Sequence, residues 1–181
     1  TVRGTAGRDL LDSYDRERRP AAQRVIANTR AQLSLMRSDI TLDPLRDLFA
    51  SILDVEEANR RIGMLISAQD TVYDSPGASS SSQWEGRFLQ NYRITVGDPG
   101  RQATDTDVVA LLHSGRPLLL LQEGLGALRK TAGRWSPTVR TVTFRSGLPC
   151  EALLVRPDGY VAWASDGGDL TQALGHWFGE R

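Results

Sequence analysis

A single thiol, Cys150, stands between Pro149 and Glu151. One cysteine allows neither an internal disulfide nor a CxxC dithiol. Peroxidatic or resolving chemistry remains open to it, and needs a thiol pKa lowered by a helix N-terminus or a nearby cation. Glu151 is an anion and acts in the opposite sense, so the sequence favours an inert, partly buried thiol. The two histidines, His113 and His176, lie far apart without ligand-like neighbours, which argues against zinc. His113, just before Ser114-Gly115, reads as a helix-end residue that suits the helix dipole, and His176 beside Trp177 as part of a terminal helix. Trp135 and Trp163 read as core or rim aromatics, because no basic stripe accompanies them. Gly4 and Gly7 are not a dinucleotide fingerprint, since no strand precedes them. No catalytic, cofactor-binding or metal-ligating residue is assigned.

The charge balance agrees with this reserve. Twenty-two basic and 22 acidic residues give a formal net charge of zero. A nucleic-acid or acidic-membrane binder needs excess positive charge. Lys130 is the only lysine, an arginine bias expected of a GC-rich bacterial gene. The longest apolar run, around Pro117 to Leu121, is far short of a membrane span, and TVRGTAGRDLL carries no signal-peptide apolar core. A cytoplasmic protein is expected.

The elements that must position these residues fall into two parts. Gly7 to Met36 has helical periodicity in Leu10, Leu11, Tyr14, Val25 and Leu33, with a kink or restart expected at Pro20. A second helix is expected from Asp43, as N-cap with Pro44 at N1, to Leu53, and a third from near Asp54 to Gln69. This helical segment, residues 1–74, is followed by a Pro/Gly/Ser-rich stretch over 75–86 that reads as a flexible linker. Residues 87–181 then have mixed patterning. Strands are expected over Tyr92–Val96, Pro117–Gln122 and Val139–Arg145, and helices over Thr104–Ser114 (with Asp105 as N-cap) and Gly124–Ala132. Ala152–Val155 and Tyr160–Ala164 flank a Pro157-Asp158-Gly159 turn and form a hairpin, and an amphipathic helix spans Asp169–Phe178. The fold class is α/β. The order of Gly147-Leu148-Pro149, hairpin and terminal helix resembles the end of a thioredoxin fold, in which Pro149 takes the place of the loop proline and Leu148–Pro149 becomes a candidate cis peptide. Where a thioredoxin carries its cysteine pair, this chain has Gln122-Glu123-Gly124-Leu125-Gly126.

Two further stretches are distinctive. Leu10-Leu11-Asp12-Ser13-Tyr14-Asp15-Arg16-Glu17-Arg18-Arg19-Pro20 leads to Ala27-Asn28-Thr29-Arg30-Ala31-Gln32, and Ala152 to Trp163 includes Arg156-Pro157-Asp158-Gly159-Tyr160. Both resemble class A flavoprotein monooxygenases, specifically the C-terminal portion of aromatic polyketide hydroxylases with a thioredoxin-like terminal domain. The resemblance implies a parent enzyme that binds FAD, uses NAD(P)H as reductant and hydroxylates an electron-rich ring. The family's flavin-contacting motifs are absent from this sequence, so the chain alone is expected to hold no cofactor. Tyr14, Glu17, Arg18 and Pro20 become candidates for the junction with a flavin domain. The implied partner is that FAD-domain polypeptide, or a second copy, met through the helical segment. Two other readings compete: a free-standing, redox-inactive thioredoxin-like interaction module, and a cysteine peroxidase, which the charge beside Cys150 disfavours.

Overall fold

The computed structural model describes residues 9–73, 82–97 and 102–179, with side chains from residue 14 onward in the first helix. Gly7, the side chains of Leu10 and Leu11, and most of the expected linker (75–81) lie outside the described residues. The chain divides into two compact units between Thr71 and Val72.

The first unit is helical. Helix α1 runs Asp9–Leu35, α2 Asp43–Leu53 and α3 Glu56–Ile66. The restart expected at Pro20 does not occur, and α1 is assigned as continuous through it. Pro20 is exposed, so the carbonyl that its ring deprives of a donor can turn to water. Helix α2 begins one residue earlier than expected. Leu42 is its N-cap, and Asp43, now inside the helix, pairs with Arg46. A short 3-10 turn over Ile40–Leu42 precedes α2, and the Asp39 side chain accepts from the Thr41 N–H at its start. Arg46 gathers the turn after α1: it donates to the carbonyls of Leu35 at 2.8 Å, Asp39 at 3.2 Å and Arg37. One guanidinium thus satisfies acceptors that a helix end leaves open. After α3, Ala68 takes the left-handed conformation at φ 58°, where Gly is the usual occupant.

The second unit is a six-stranded mixed sheet in the order β2-β1-β4-β3-β5-β6. Its strands are β1 Arg93–Val96, β2 Thr104–Asp107, β3 Leu118–Gln122, β4 Arg140–Ser146, β5 Ala152–Val155 and β6 Val161–Ala164. Helix α4 (Val108–Leu112) follows β2, α5 (Gly126–Ala132) connects β3 to β4, and α6 (Leu170–Phe178) follows β6. β3 and β4 pair in parallel across α5, while β3–β5 and β5–β6 are antiparallel. A βαβ unit joined to a ββα unit is the thioredoxin-like arrangement anticipated from the sequence, and β1 and β2 extend it beyond β4.

The unbroken leucines of β3 are explained by burial on both faces. Leu118 and Leu120 enter one apolar cluster with Ile94, Phe144, Leu153 and Val155, while Leu119 and Leu121 enter the other with Trp135, Leu154, Trp163 and Leu174. One expectation fails nearby. Thr104–Asp107 is not the start of a helix but a strand antiparallel to β1. The helix begins two residues later than Asp105 would have it, with Asp107 as N-cap accepting from the Ala110 N–H at 2.9 Å. Asp105 instead accepts from the Thr95 hydroxyl across the strands. Residues 82–86, expected as linker, are built into the sheet unit: Glu85 is buried and accepts from the Ala164 N–H at 3.2 Å.

Candidate functional site

The loop between β4 and β5 holds Cys150, and Gly147 places it. Gly147 has φ 105°, and a Cβ there would lie 2.2 Å from the Arg93 carbonyl oxygen, so only glycine lets this loop lie against β1. Leu148–Pro149 is trans, since the described residues contain no cis peptide, and Pro149 is exposed. Cys150 is half-buried beside the cluster that includes Trp84, Leu148 and Leu153. Burial, and then the negative charge of Asp166, push its thiol up to about 11. The sequence reading had the direction right and the cause wrong. Glu151 is exposed, and the relevant anion comes from the β6–α6 turn. A thiol so shifted is almost entirely protonated at neutral pH and is a poor nucleophile.

The β3–α5 turn is where a thioredoxin keeps its cysteines, and it carries two glycines, Gly124 and Gly126. A phosphate cradle needs unpaired backbone N–H groups and a neighbourhood that tolerates negative charge. Here the N–H groups of Gln122, Glu123, Leu125 and Gly126 donate to the carbonyls of Glu151, Phe144, Gln122 and Gly124 at 2.8, 2.9, 3.3 and 3.0 Å. The Glu123 carboxylate sits at the turn and pairs with Arg145 at 3.3 Å. This donor set does not fit a flavin pyrophosphate. Among the described residues, no three or more His, Cys, Asp or Glu side chains are grouped to hold a metal ion.

The profile of the aromatic-ring hydroxylase C-terminal family matches residues 82–180. The chain belongs to that family. This hydroxylase C-terminal chain is 37% identical over 192 residues to the 12-dehydrotetracycline 5-monooxygenase/anhydrotetracycline 6-monooxygenase of Streptomyces rimosus, a match covering 99% of this chain and 36% of the relative. It is 34% identical to the rifampicin monooxygenase of Rhodococcus hoagii, covering 98% of this chain and 34% of that protein. Among solved structures, CabE, an aromatic hydroxylase from angucycline biosynthesis, superposes with a TM-score of 0.84 at 34% identity, over 99% of this chain and 37% of CabE. The flavin-dependent monooxygenase PieE, solved with FAD and substrate, shares the fold at 19% identity and a TM-score of 0.59, over 97% of this chain and 41% of PieE. The hydroxylase C-terminal chain thus spans about a third of the length of the curated relatives named here.

The four junction candidates share α1. The structure brings two of them together: the Arg18 guanidinium lies 5.9 Å from the centre of the Tyr14 ring, one helical turn away, and Tyr14 is 64% exposed. Glu17 is half-buried and Pro20 exposed. His113 is the C-cap of α4 and His176 stands in the last turn of α6 against Trp177, as the sequence suggested. Trp135 and Trp163 are core residues whose indole N–H groups donate to the carbonyls of Gly179 and Gly168 at 2.9 and 2.7 Å.

The sequence reading missed a cluster around Arg156. Its guanidinium chelates Asp158, with Nη2 to Oδ2 at 2.8 Å, and lies 4.7 Å from the Trp177 ring centre and about 6.0 Å from that of Tyr160. The cluster fastens the β5–β6 hairpin to α6 through cation–π contact and a charge-assisted pair. The signal was present as Arg-x-Asp-x-Tyr around the Asp-Gly turn, three positions two apart on one face of a hairpin end.

Proposed function

We propose that this chain is the C-terminal region of a bacterial, cytoplasmic, FAD-dependent monooxygenase that uses NAD(P)H to hydroxylate aromatic polyketides. On its own it is catalytically inert and serves the flavin-bearing part as support and interface. The observation that carries this reading is the pairing of nearly the whole chain with about a third of monooxygenases from antibiotic metabolism. The protonated Cys150 and the self-paired β3–α5 turn agree with a supporting role.

The helical unit supports the same reading. Along α1 the half-buried positions include Glu17, Ala21, Arg24, Asn28, Gln32 and Leu35, a mostly polar row. The large apolar side chains Tyr14, Val25 and Leu33 are instead 64%, 48% and 58% exposed, and in α2 Leu45 and Leu48 are 49% and 59% exposed. Burying one such side chain is worth about 1.5–3 kcal/mol. The flavin-domain polypeptide is the proposed cover for this face, with a second copy of the chain as the other candidate. The closed core of the sheet unit favours one alternative: a free-standing, redox-inactive interaction module.

The test is to produce the chain alone and together with the flavin-bearing portion of the Streptomyces rimosus relative, truncated where the match begins. Alone, the chain should show no flavin absorbance and no NAD(P)H oxidation. Together, the two should co-purify and restore substrate-stimulated oxidation. Stoichiometric flavin on the chain alone would overturn the proposal. A monomer with strongly protected amides throughout the helical unit would favour the free-standing module.

A further inference from the structure

We propose that the outer edge of β2 is a docking site for an extended segment of a partner protein, basic at alternate positions, which adds to the sheet as a further antiparallel strand. This inference concerns the sheet unit alone and does not rest on the proposed function.

β2 ends the sheet on one side and β6 on the other. The β6 edge is closed: the Gly86 N–H donates to the Val161 carbonyl and the Val161 N–H to the Arg87 carbonyl, both at 2.9 Å. Among the described residues, none pairs with the far side of β2. The register shows which of its backbone groups point there. The Val108 N–H donates to the Tyr92 carbonyl at 3.1 Å. Hydrogen-bonded and non-bonded pairs alternate along an antiparallel ladder, so Ile94–Thr106 and Val96–Thr104 are the bonded pairs of this ribbon. The N–H and C=O of Asp105 and the N–H of Asp107 therefore turn outward. The Asp107 carbonyl is taken by α4, of which Asp107 is the N-cap. Outward-facing strand groups of this kind are a template for another strand.

The side chains state what kind of strand fits. Arg93 stands opposite Asp107 and Thr95 opposite Asp105, on the face away from the buried Ile94. Together with Ile94 and Thr106 these residues line a groove along the ribbon. The two carboxylates lie on the edge strand, and Arg93 lies one strand further in. Each carboxylate uses its Oδ1 atom within the fold: Asp105 accepts from the Thr95 hydroxyl and Asp107 from the Ala110 N–H, both at 2.9 Å. Their Oδ2 atoms accept from no described residue and remain open to an incoming cation. An added strand sets its residues directly opposite Asp105 and Asp107, on the same face, where Lys or Arg forms favourable cross-strand pairs.

The same geometry bars a second copy of β2. Residues opposed across an antiparallel pair share a face, and the outward backbone groups belong to Asp105 and Asp107. Every bonded register of β2 against itself thus sets Asp opposite Asp, which is repulsive. The occupant is a strand of opposite charge.

The test titrates the full chain with the peptide acetyl-Thr-Arg-Thr-Arg-Thr-amide, followed by amide NMR and hydrogen exchange. Exchange at the Asp105 and Asp107 amides should slow as the peptide is added. The same peptide N-methylated at both arginines keeps its charge but loses the donors that would face β2, and should give no such protection. The double variant Asp105→Asn, Asp107→Asn keeps both internal acceptors and removes the charge. It should weaken binding by roughly two- to thirtyfold, as expected for the loss of two cross-strand charge pairs. The proposal is overturned if exchange at these two amides does not slow, if the N-methylated peptide binds as tightly as the parent, or if the double variant binds it as tightly as the native chain.

Discussion

The assignment of Cys150 as an inert thiol can be tested by its rate of alkylation. Burial and Asp166 raise the thiol from about 9 to about 11, which leaves about a hundredfold less thiolate at neutral pH than an unperturbed cysteine would have. A thiolate of higher pKa is intrinsically more nucleophilic. With a Brønsted slope of about 0.4–0.5, two pKa units return roughly six- to tenfold of that loss. The net expectation is alkylation by iodoacetamide at least about tenfold slower in the folded chain than in the chain unfolded in urea, before half-burial slows access further. Mass spectrometry of timed aliquots measures both rates. The perturbation is Asp166→Asn, which keeps an acceptor for the Ser82 hydroxyl while removing the charge. Desolvation is the larger cause and Asp166 the smaller, so this variant should recover only the lesser part of the lost rate and lower the midpoint of the pH–rate profile part of the way. The sign of the linked stability follows. The folded state holds this proton more tightly than the unfolded chain, so the group's contribution is fully present below about 9 and is lost as the pH rises through about 11. Native alkylation as fast as in urea would refute the reasoning and reopen the peroxidase reading.

Three further outcomes test the packing. Leu120→Ala, at a fully buried β3 position, should cost the sheet unit about 2–5 kcal/mol; all four tryptophans lie in that unit, so the urea midpoint by fluorescence reads it directly. Arg46→Ala leaves the carbonyls of Leu35, Arg37 and Asp39 without their shared donor, and should cost about 1–3 kcal/mol of helical-unit stability. That loss should show in hydrogen exchange of α1 and α2, with the tryptophan transition unmoved. Ala68→Gly should stabilise the turn after α3 by about 1 kcal/mol, because the position has φ 58°; an unchanged or lower thermal midpoint of the helical unit would count against it.

Much of this protein was legible wherever local signals and burial point the same way. The leucines over 118–121, the Asp158-Gly159 turn between two apolar runs, and Asp169 before an amphipathic stretch each named their element correctly. The family signatures around Tyr14 and around Arg156–Tyr160 were also readable, because they are matters of residue identity at fixed spacing. Thr104–Asp107 shows where this stops. Thr and Asp both suit a helix cap while Thr also suits a strand, and β1, pairing from eight to 14 positions upstream, decided for the strand.

The sequence by itself determined the α/β class, the thioredoxin-like order of the sheet unit and the resemblance to hydroxylase C-terminal regions, since all three depend on periodicity, turn chemistry and motif spacing along one dimension. Only the tertiary structure decided what surrounds Cys150, what gathers on Arg156 and where the two units part. Asp166 acts on a thiol in another loop, Trp177 meets a guanidinium from another strand, and Tyr73 is held by a glycine across a stretch that composition alone reads as a linker. Electrostatics, ring stacking and backbone pairing act through space, and chain distance does not record them.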